Sequence, residues 1–90
     1  MREIVERVKA RTSIPVYERT IGNVLSAIQA SSDVWRIVDL SEEPLPLVVA
    51  VLEALHELGH IAFEGPNVIL TESGKQLVEK YGIGPRRDYT

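Results

Sequence analysis

Apolar residues recur at helical spacing within the first third of this 90-residue chain, and the pattern leaves few alternatives for the structure of that segment. Positions i, i+4, i+7, i+8 and i+11 are occupied by Tyr17, Ile21, Val24, Leu25 and Ile28. This spacing places all of these side chains on one face of a helix. A helix is therefore predicted from Pro15 to Ala30, with Pro15 as its first residue because its missing N–H needs no partner there.

The N-terminal segment predicts a second helix, from Arg2 to Ala10. Its apolar residues lie at helical spacing between charged ones, and they are Ile4, Val5 and Val8. Only a narrow stripe of this helix is apolar, so we expect the stripe to need a partner surface. The run Thr12-Ser13-Ile14-Pro15 ends the helix.

Two further helices are predicted between residues 31 and 59. The polar run Ser31-Ser32-Asp33 can supply an N-cap for residues 34–40, which are ambiguous between a short helix and a strand, with the helix preferred. Ser41-Glu42-Glu43-Pro44 predicts a cap and turn that place two carboxylates in the first turn of a long helix, where the helix dipole favours them. This helix is expected to run to Leu58, because Gly59 suits the left-handed position that follows a helix end.

The remainder predicts a β-hairpin and a closing helix. Two β-like runs, 60–64 and 68–70, flank Gly65-Pro66-Asn67, which is typical of a hairpin turn. Thr71 is expected to cap a last helix that ends at Gly82, with Leu77, Val78 and Tyr81 as its apolar residues. Residues 84–90 show no periodicity and predict a connector. The predicted domain is therefore 1–83, with the N-terminal helix in 1–12, followed by the connector 84–90.

This order of elements predicts a mainly α fold with a small β-hairpin, namely a winged helix-turn-helix with an extra N-terminal helix. The stretches "ELGHIAF" and "NVILTESGKQLVEKYG" resemble the wing and closing helix of such domains. Leu70, Thr71, Gly74 and Leu77 form a Leu-Thr-x-x-Gly-x-x-Leu pattern found in many winged-helix families. The pattern indicates a fold more than a function.

Length and composition exclude several classes of protein and of functional site. Ninety residues allow one small domain, and a hydrophobic fraction of 44% predicts a globular fold. The absence of cysteine excludes disulfides, thiolate nucleophiles and Cys-based metal sites in this chain. The longest nearly charge-free stretch, 44–52, is far too short for a membrane span, and the charges near the N-terminus do not fit a signal peptide. A cytoplasmic protein is expected, and the scarcity of Asn and Gln is typical of a thermophile.

The helix predicted up to Leu58 lacks the side chains with which a winged helix reads DNA. A recognition helix offers hydrogen-bond donors to base edges and phosphates. The face opposite the core has no Arg, Lys, Asn, Gln, Ser or Thr, and Glu53 and Glu57 would repel phosphate. The wing tip holds only Glu64 and Asn67, and the net charge is -3. A DNA-binding transcription regulator is kept as the alternative function on the strength of the fold alone.

The segment His56-Glu57-Leu58-Gly59-His60 matches the H-E-x-x-H pattern of zinc peptidases, in which two His hold zinc and the Glu activates water. Glu79 lies at a spacing where gluzincin-type peptidases place a third ligand. However, Phe63 occupies the position where the metzincin extension requires Gly, and Gly59 is expected to end the helix so that the imidazoles diverge. A zinc site at His56, His60 and Glu79 is the less favoured alternative, and no metal is predicted.

Other catalytic patterns are absent from the sequence. The serines occur without a G-x-S-x-G elbow, and there is no G-x-G-x-x-G or Walker A loop. We therefore predict no catalytic residue and no cofactor in this chain. Arg86-Arg87 is predicted to be a solvated linker pair, and Trp35 is expected to lie in a core or an interface beside the third helix.

From "REIVERVKARTSIPVYERTIGNVLSAIQASSDVWRIVDLSEEPLPLVVAVLEAL" through "VEKYGIGPRRDYT", the chain resembles the N-terminal region of the branched-chain polyamine synthases of archaea and thermophilic bacteria. The resemblance implies a parent that is an aminopropyltransferase, a bis(aminopropyl)spermidine synthase that transfers aminopropyl groups from decarboxylated S-adenosylmethionine to spermidine. In that family the winged-helix region precedes a Cys-containing segment and a Rossmann-like catalytic domain with an acidic motif. These 90 residues contain none of those parts, so no catalytic residue carries over.

The role predicted for the domain itself is protein–protein packing. Ile4, Val5 and Val8, together with Val49 and Ala50, are apolar positions that a domain of this size is not expected to cover fully. Exposed patches of this kind mark interfaces. The predicted partners are a second copy of the chain, giving a homodimer, and a downstream catalytic domain. DNA is disfavoured as a partner, and no membrane contact is expected.

Overall fold

The computed structural model describes residues 1–86 and confirms a mainly helical fold with one β-hairpin. The two strands form an antiparallel sheet, and the helices surround a shared core. In chain order the elements are α1 (Arg2–Lys9), α2 (Glu18–Ala30), α3 (Val34–Ser41), α4 (Leu45–Glu57), β1 (Ile61–Glu64), β2 (Asn67–Leu70) and α5 (Glu72–Lys80). Within residues 1–86, no helix combines the length and the apolar character that a membrane span requires.

The start of α2 differs from the prediction, because the helix begins at Glu18 and not at Pro15. Val16 is buried, and Tyr17 has an extended backbone with φ -125° and ψ 161°. The Tyr17 N–H donates to Thr20 Oγ1 at 3.4 Å, which satisfies a backbone donor just before the helix. Burial of Val16 therefore delays the helix by three residues and leaves the Tyr17 side chain exposed rather than in the core.

The segment that follows Ser31 confirms a helix at α3. The Asp33 carboxylate accepts a hydrogen bond from the Trp35 N–H at 3.0 Å, as expected for an N-cap. Trp35 itself is 68% exposed, so it does not lie in this domain's core, and its place in an interface stays a prediction. Trp35 lies in the first turn of α3 on the exposed side of the helix, whereas Ile37 lies on the side that faces the core.

The turn between α3 and α4 differs from the prediction. Glu42 adopts a left-handed conformation with φ 56° and ends α3, and Pro44 precedes α4. The two carboxylates therefore lie before α4 and not in its first turn. Glu43 instead accepts a hydrogen bond from Asn23 Nδ2 at 3.1 Å, which joins this turn to α2.

The hairpin pairs β1 with β2 in the register Phe63↔Val68 and Glu64↔Asn67. Gly65 has φ 61° at the first central position of the two-residue turn, where a type II′ turn requires a positive φ. An isolated antiparallel bridge joins Asp33 to Asn67, and the Val68 N–H donates to Ser32 O at 2.7 Å. The hairpin is therefore held against the segment that leads into α3.

The Leu-Thr-x-x-Gly-x-x-Leu pattern has a local structural cause. Thr71 Oγ1 accepts from the Gly74 N–H at 3.2 Å and caps α5, while its hydroxyl donates to Gly59 O at 2.5 Å. A Cβ on Gly74 would lie 2.0 Å from the backbone oxygen of His60. Only glycine therefore permits α5 to approach the start of the hairpin this closely.

The residues after α5 fold back onto α2. Ser26 Oγ donates to Gly84 O at 2.8 Å, Gln29 Nε2 donates to Ile83 O at 2.8 Å, and the Arg86 N–H donates to Ser26 O at 2.9 Å. The Arg86 guanidinium pairs with the Glu42 carboxylate. The prediction of a solvated arginine is therefore wrong for Arg86, whereas Arg87 and the rest of the predicted connector lie outside the described residues.

Candidate interaction surface

The two sides of α4 have different environments. One side is buried in the core, and it consists of Leu47, Val48, Ala50, Val51, Leu52, Ala54 and Leu55. The other side is exposed, and it consists of Leu45, Pro46, Val49, Glu53, His56 and Glu57. The buried arc is broad because α1, α2, α3 and β1 all pack against this helix.

The helix α1 packs against the buried side of α4. Ile4, Val5 and Val8 are buried in the same core cluster as α4. At the edge of this contact, the guanidinium groups of Arg7 and Arg11 both pair with the Glu57 carboxylate. The apolar stripe of α1 therefore finds its partner surface inside the domain.

This packing corrects the predicted exposed patch. Ile4, Val5, Val8 and Ala50 are at most 9% exposed, because α1 lies over α4. Of the five residues predicted to form an interface, Val49 alone remains on the surface, at 45% exposure. The prediction that these residues stay uncovered is wrong for the other four.

Two other apolar side chains are exposed on α4 and on the hairpin that follows it. Leu45 precedes Val49 by one helical turn and is 44% exposed, and Phe63 of β1 is 45% exposed. The His56 ring, near the end of α4, contacts the Phe63 ring, and the two ring centroids are 4.8 Å apart. We call Leu45, Val49, His56 and Phe63 the α4 strip. Leu45 and Phe63 were not predicted to belong to a contact surface, and Phe63 lies beside α4 only once the hairpin has folded.

The α4 strip contains no Lys or Arg. No Lys or Arg occurs in α4, and Glu53 lies on its exposed side. The hairpin turn beside it carries the exposed residues Glu64 and Asn67. Phosphate binding depends on cations, and the two arginines that reach the exposed side of α4, Arg7 and Arg11, pair with Glu57.

The two histidines of the H-E-x-x-H segment have separate partners. Gly59, with φ 80°, follows the end of α4, and the His60 backbone leads into β1. His56 contacts Phe63, whereas His60 Nδ1 lies 2.7 Å from Ser73 Oγ of α5. Glu79 lies exposed on α5. Within residues 1–86, no three His, Asp or Glu side chains are grouped closely enough to hold a metal ion.

The pair of His60 and Ser73 is a contact that sequence reasoning missed. The two residues lie far apart in sequence and no motif spans them, and the Thr71 cap brings α5 against the start of the hairpin. A nucleophilic serine needs a base within hydrogen-bond reach, a third group that orients the base, and a cleft for substrate. The pair meets the first requirement, but Ser73 is exposed on the first turn of α5.

Two open grooves lie away from the α4 strip. One has a volume of about 510 Å³ and lies between the end of α2, β2 and Pro85, with Gln29 and Lys75 among its polar lining residues. The other, of about 480 Å³, lies between α1 and the start of α2, where Arg2 and Glu18 face Val5, Val16 and Tyr17. Neither groove is lined by a histidine or by a pair of carboxylates, so neither presents an acid–base pair.

Fold and surface together define a small, mainly helical domain with a β-hairpin and an uncovered apolar helix face. Over its whole length, this domain is homologous to a segment of the N(4)-bis(aminopropyl)spermidine synthases. The chain is 80% identical over 90 residues to the synthase of Thermococcus kodakarensis, of which it covers 26%. It is 46% identical over 86 residues to the Methanocaldococcus jannaschii synthase, of which it covers 24%. The resemblance predicted from the sequence is confirmed.

A solved structure gives the same result. The chain resembles the branched-chain polyamine synthase from Thermus thermophilus, crystallised with N4-aminopropylspermidine and 5'-methylthioadenosine, with a TM-score of 0.74 and 28% identity. The match covers 97% of this chain and 23% of that one. The chain thus spans about a quarter of the length of the relatives it matches. No family model matches it.

Proposed function

We propose that this chain is the non-catalytic N-terminal winged-helix domain of a branched-chain polyamine synthase. The observation that carries the proposal is the 80% identity to the Thermococcus kodakarensis N(4)-bis(aminopropyl)spermidine synthase across all 90 residues. The reaction proposed for the parent is aminopropyl transfer from decarboxylated S-adenosylmethionine to spermidine, in the cytoplasm. The role proposed for the domain is to form contacts, through dimerisation or packing against the catalytic part, with no cofactor of its own.

The winged-helix assignment is supported by the order α2, α3, α4 and hairpin. In winged-helix domains a short strand between the first two helices of the motif pairs with the wing. The bridge from Asp33 to Asn67 and the hydrogen bond from the Val68 N–H to Ser32 O are in that position. In this assignment α4 is the counterpart of the recognition helix, and α1 is the additional element.

A contact-forming role is supported by the chemistry of the surface. The exposed side chains of α4 are apolar or acidic, apart from His56, and within residues 1–86 no group of potential metal ligands is present. Exposed apolar residues on a rigid helix are suited to protein contacts. Aminopropyl transfer also needs a site for a nucleoside and a polyamine. Of the two grooves described above, one is lined by Lys75 and by no carboxylate, and the other has a single carboxylate, Glu18, beside Arg2, so neither offers the cluster of acidic side chains that suits a polycation.

The experiment that tests the proposal compares two proteins in one assay. The 90-residue chain and the longer protein encoded by the same open reading frame are each incubated with spermidine and decarboxylated S-adenosylmethionine, and branched products are measured by mass spectrometry. We expect product from the longer protein alone. A stop codon directly after Thr90, or turnover by the 90 residues alone, would overturn the proposal.

The predicted absence of zinc is tested on the same purified 90-residue chain. We expect less than stoichiometric zinc by elemental analysis, because His56 and His60 have different partners. One zinc per chain that is lost in both His56→Ala and His60→Ala would restore the zinc alternative.

A further inference from the structure

We propose that two copies of this domain pair through the outer edge of β1, so that their hairpins join into one antiparallel sheet. The inference rests on the proposed function and names the surface through which dimerisation takes place. The partner is a second copy of this chain, and the two β1 strands run antiparallel about a two-fold axis at Ala62.

The two outer edges of the hairpin have different environments. Beside β2, the Val68 N–H donates to Ser32 O at 2.7 Å and a bridge joins Asn67 to Asp33, so that edge already has a partner. Within residues 1–86, by contrast, the sheet ends at β1. The strand contains no Lys, Pro or bulge, which are features that keep an edge strand from pairing. The outer edge of β1 is therefore open to another strand.

The register of the hairpin determines which backbone groups of β1 point to this edge. The Val68 N–H donates outside the hairpin, so Val68 and its partner Phe63 form a non-hydrogen-bonded pair. The N–H and C=O of Phe63 therefore point outward, as do those of Ile61 two residues earlier. The residues between them point to β2, in agreement with the hydrogen bond from the Thr71 N–H to His60 O at 3.1 Å.

One antiparallel register of two β1 strands uses all of these outward groups. When Ala62 lies opposite Ala62 of the second copy, Ile61 of each copy lies opposite Phe63 of the other, and each such pair exchanges two backbone hydrogen bonds. A symmetric register that places Ile61 opposite Ile61, or Phe63 opposite Phe63, leaves only that one pair within the two strands. The first register also brings Phe63, which is 45% exposed, beside an apolar side chain of the second copy.

The same register makes the side chains of the two copies complementary. It places His60, just before β1, opposite Glu64, the last residue of β1, on both sides of the axis. The His60 Nδ1 lies 2.7 Å from Ser73 Oγ. When that hydroxyl donates to Nδ1, the imidazole proton is on Nε2, which can donate to the opposite carboxylate. This match between the two ends of one strand favours a second copy over an unrelated strand as the partner.

Disulfide trapping tests the register, because the 90-residue chain contains no cysteine. Opposite residues of a non-hydrogen-bonded pair have Cα atoms about 4.5 Å apart, a distance that a disulfide can bridge. We expect Ala62→Cys to form a disulfide-linked dimer about tenfold or more faster than Ile69→Cys under mild oxidation. Ile69 is the matched control, because it lies opposite Ala62 in the hairpin but about 14 Å from its own copy across the axis. Equal rates, or a faster reaction at the more exposed Ile69, would overturn the inference.

Sedimentation equilibrium of the 90-residue chain tests the same contact without cysteine. We expect a dimer in which Glu64→Lys, by placing a cation opposite His60 in two symmetric pairs, raises the dissociation constant about tenfold. Adding His60→Glu exchanges the two charges and is expected to restore the parent constant. Glu79→Lys makes the same change of charge on the exposed side of α5 and is expected to have no effect. A monomeric parent chain, equal constants in the two Lys variants, or no recovery in the double variant would contradict the proposed pairing.

The longer protein encoded by the same open reading frame shows whether the contact exists in the synthase. With Ala62→Cys in that protein, we expect mass spectrometry to identify a disulfide that joins position 62 of two copies, and its absence would overturn the inference. The proposed function fails separately, through the reading frame or through the transferase assay. It survives if only the pairing of β1 proves to be wrong, because packing against the catalytic part does not require that edge.

Discussion

Both sides of α4 carry Leu and Val, yet one side is covered within the domain and the other is not. On the covered side, α1 supplies Ile4, Val5 and Val8, and its charged residues then form the outer surface. On the uncovered side, Leu45 and Val49 are directly exposed. The difference shows that the composition of a helix face does not by itself determine whether the face is buried. Burial also requires another element of the chain that is long enough, and suitably positioned, to cover the face.

The largest effect that tests this comparison is expected from Ile4→Ala. Ile4 is 2% exposed in the contact between α1 and the core, so its truncation removes buried surface and leaves a cavity. We expect the free energy of unfolding of the 90-residue chain to fall by about 2–5 kcal/mol. In a domain of this size that lowers the melting temperature by about 10 °C or more, as measured by circular dichroism.

The matched control is Glu3→Ala, which changes an exposed residue of the same helix. We expect it to alter the free energy of unfolding by no more than about 0.5 kcal/mol. If Ile4→Ala were as mild as the control, α1 would not cover α4 in solution, and Ile4 would return as a candidate for an external interface.

A smaller effect is expected from Glu57→Gln, which removes the carboxylate that pairs with Arg7 and Arg11. These side chains are about one third or more exposed, so solvent and salt screen the interaction. We expect a loss of no more than about 1 kcal/mol in low salt that declines as salt is raised, measured by urea unfolding. The exposed Glu53→Gln is the control on the same helix. A loss that does not depend on salt would mean that Glu57 acts through packing and not through its charge.

The sequence was sufficient to predict the elements of this fold. All five helices and the hairpin are present, with Asp33 and Thr71 as caps and Gly59 and Gly82 with positive φ at helix ends. These features are local, because periodicity, caps and glycine conformations depend on residues within one or two turns. The relationship to the branched-chain polyamine synthases was also recognisable, since the similarity extends over the whole chain.

The features that the sequence did not predict depend on tertiary contacts. Pro15 satisfied the local rules for a helix start, but burial of Val16 placed the start at Glu18. The burial of Ala50 followed from the elements packed around α4, which periodicity does not reveal. Phe63 joined the α4 strip only because the hairpin register and the end of α4 bring it against His56. Of the four residues of the α4 strip, only Val49 was therefore predicted to lie on a contact surface.

The smallest expected effect is that of truncating Val49, and the most direct comparison of the two sides sets it against the same truncation of its neighbour Val48. Val48 is 0% exposed and Val49 is 45% exposed, although they are adjacent in one helix and have the same side chain. In the 90-residue chain, Val48→Ala removes buried methyl groups from the core and is expected to cost about 2 kcal/mol. Val49→Ala loses only partial burial and gains helix propensity, because alanine favours a helix by roughly 0.5 kcal/mol over valine.

The two contributions at position 49 oppose each other, so Val49→Ala should leave the free energy of unfolding within about 0.5 kcal/mol of the parent value. Urea unfolding of both variants under the same conditions measures the difference directly. Because the substitutions are chemically identical and share one helix, propensity and charge cancel in the comparison, and burial alone separates the two results. Equal losses at the two positions would show that Val49 is covered within the short chain itself, and the α4 strip would then not be a free surface.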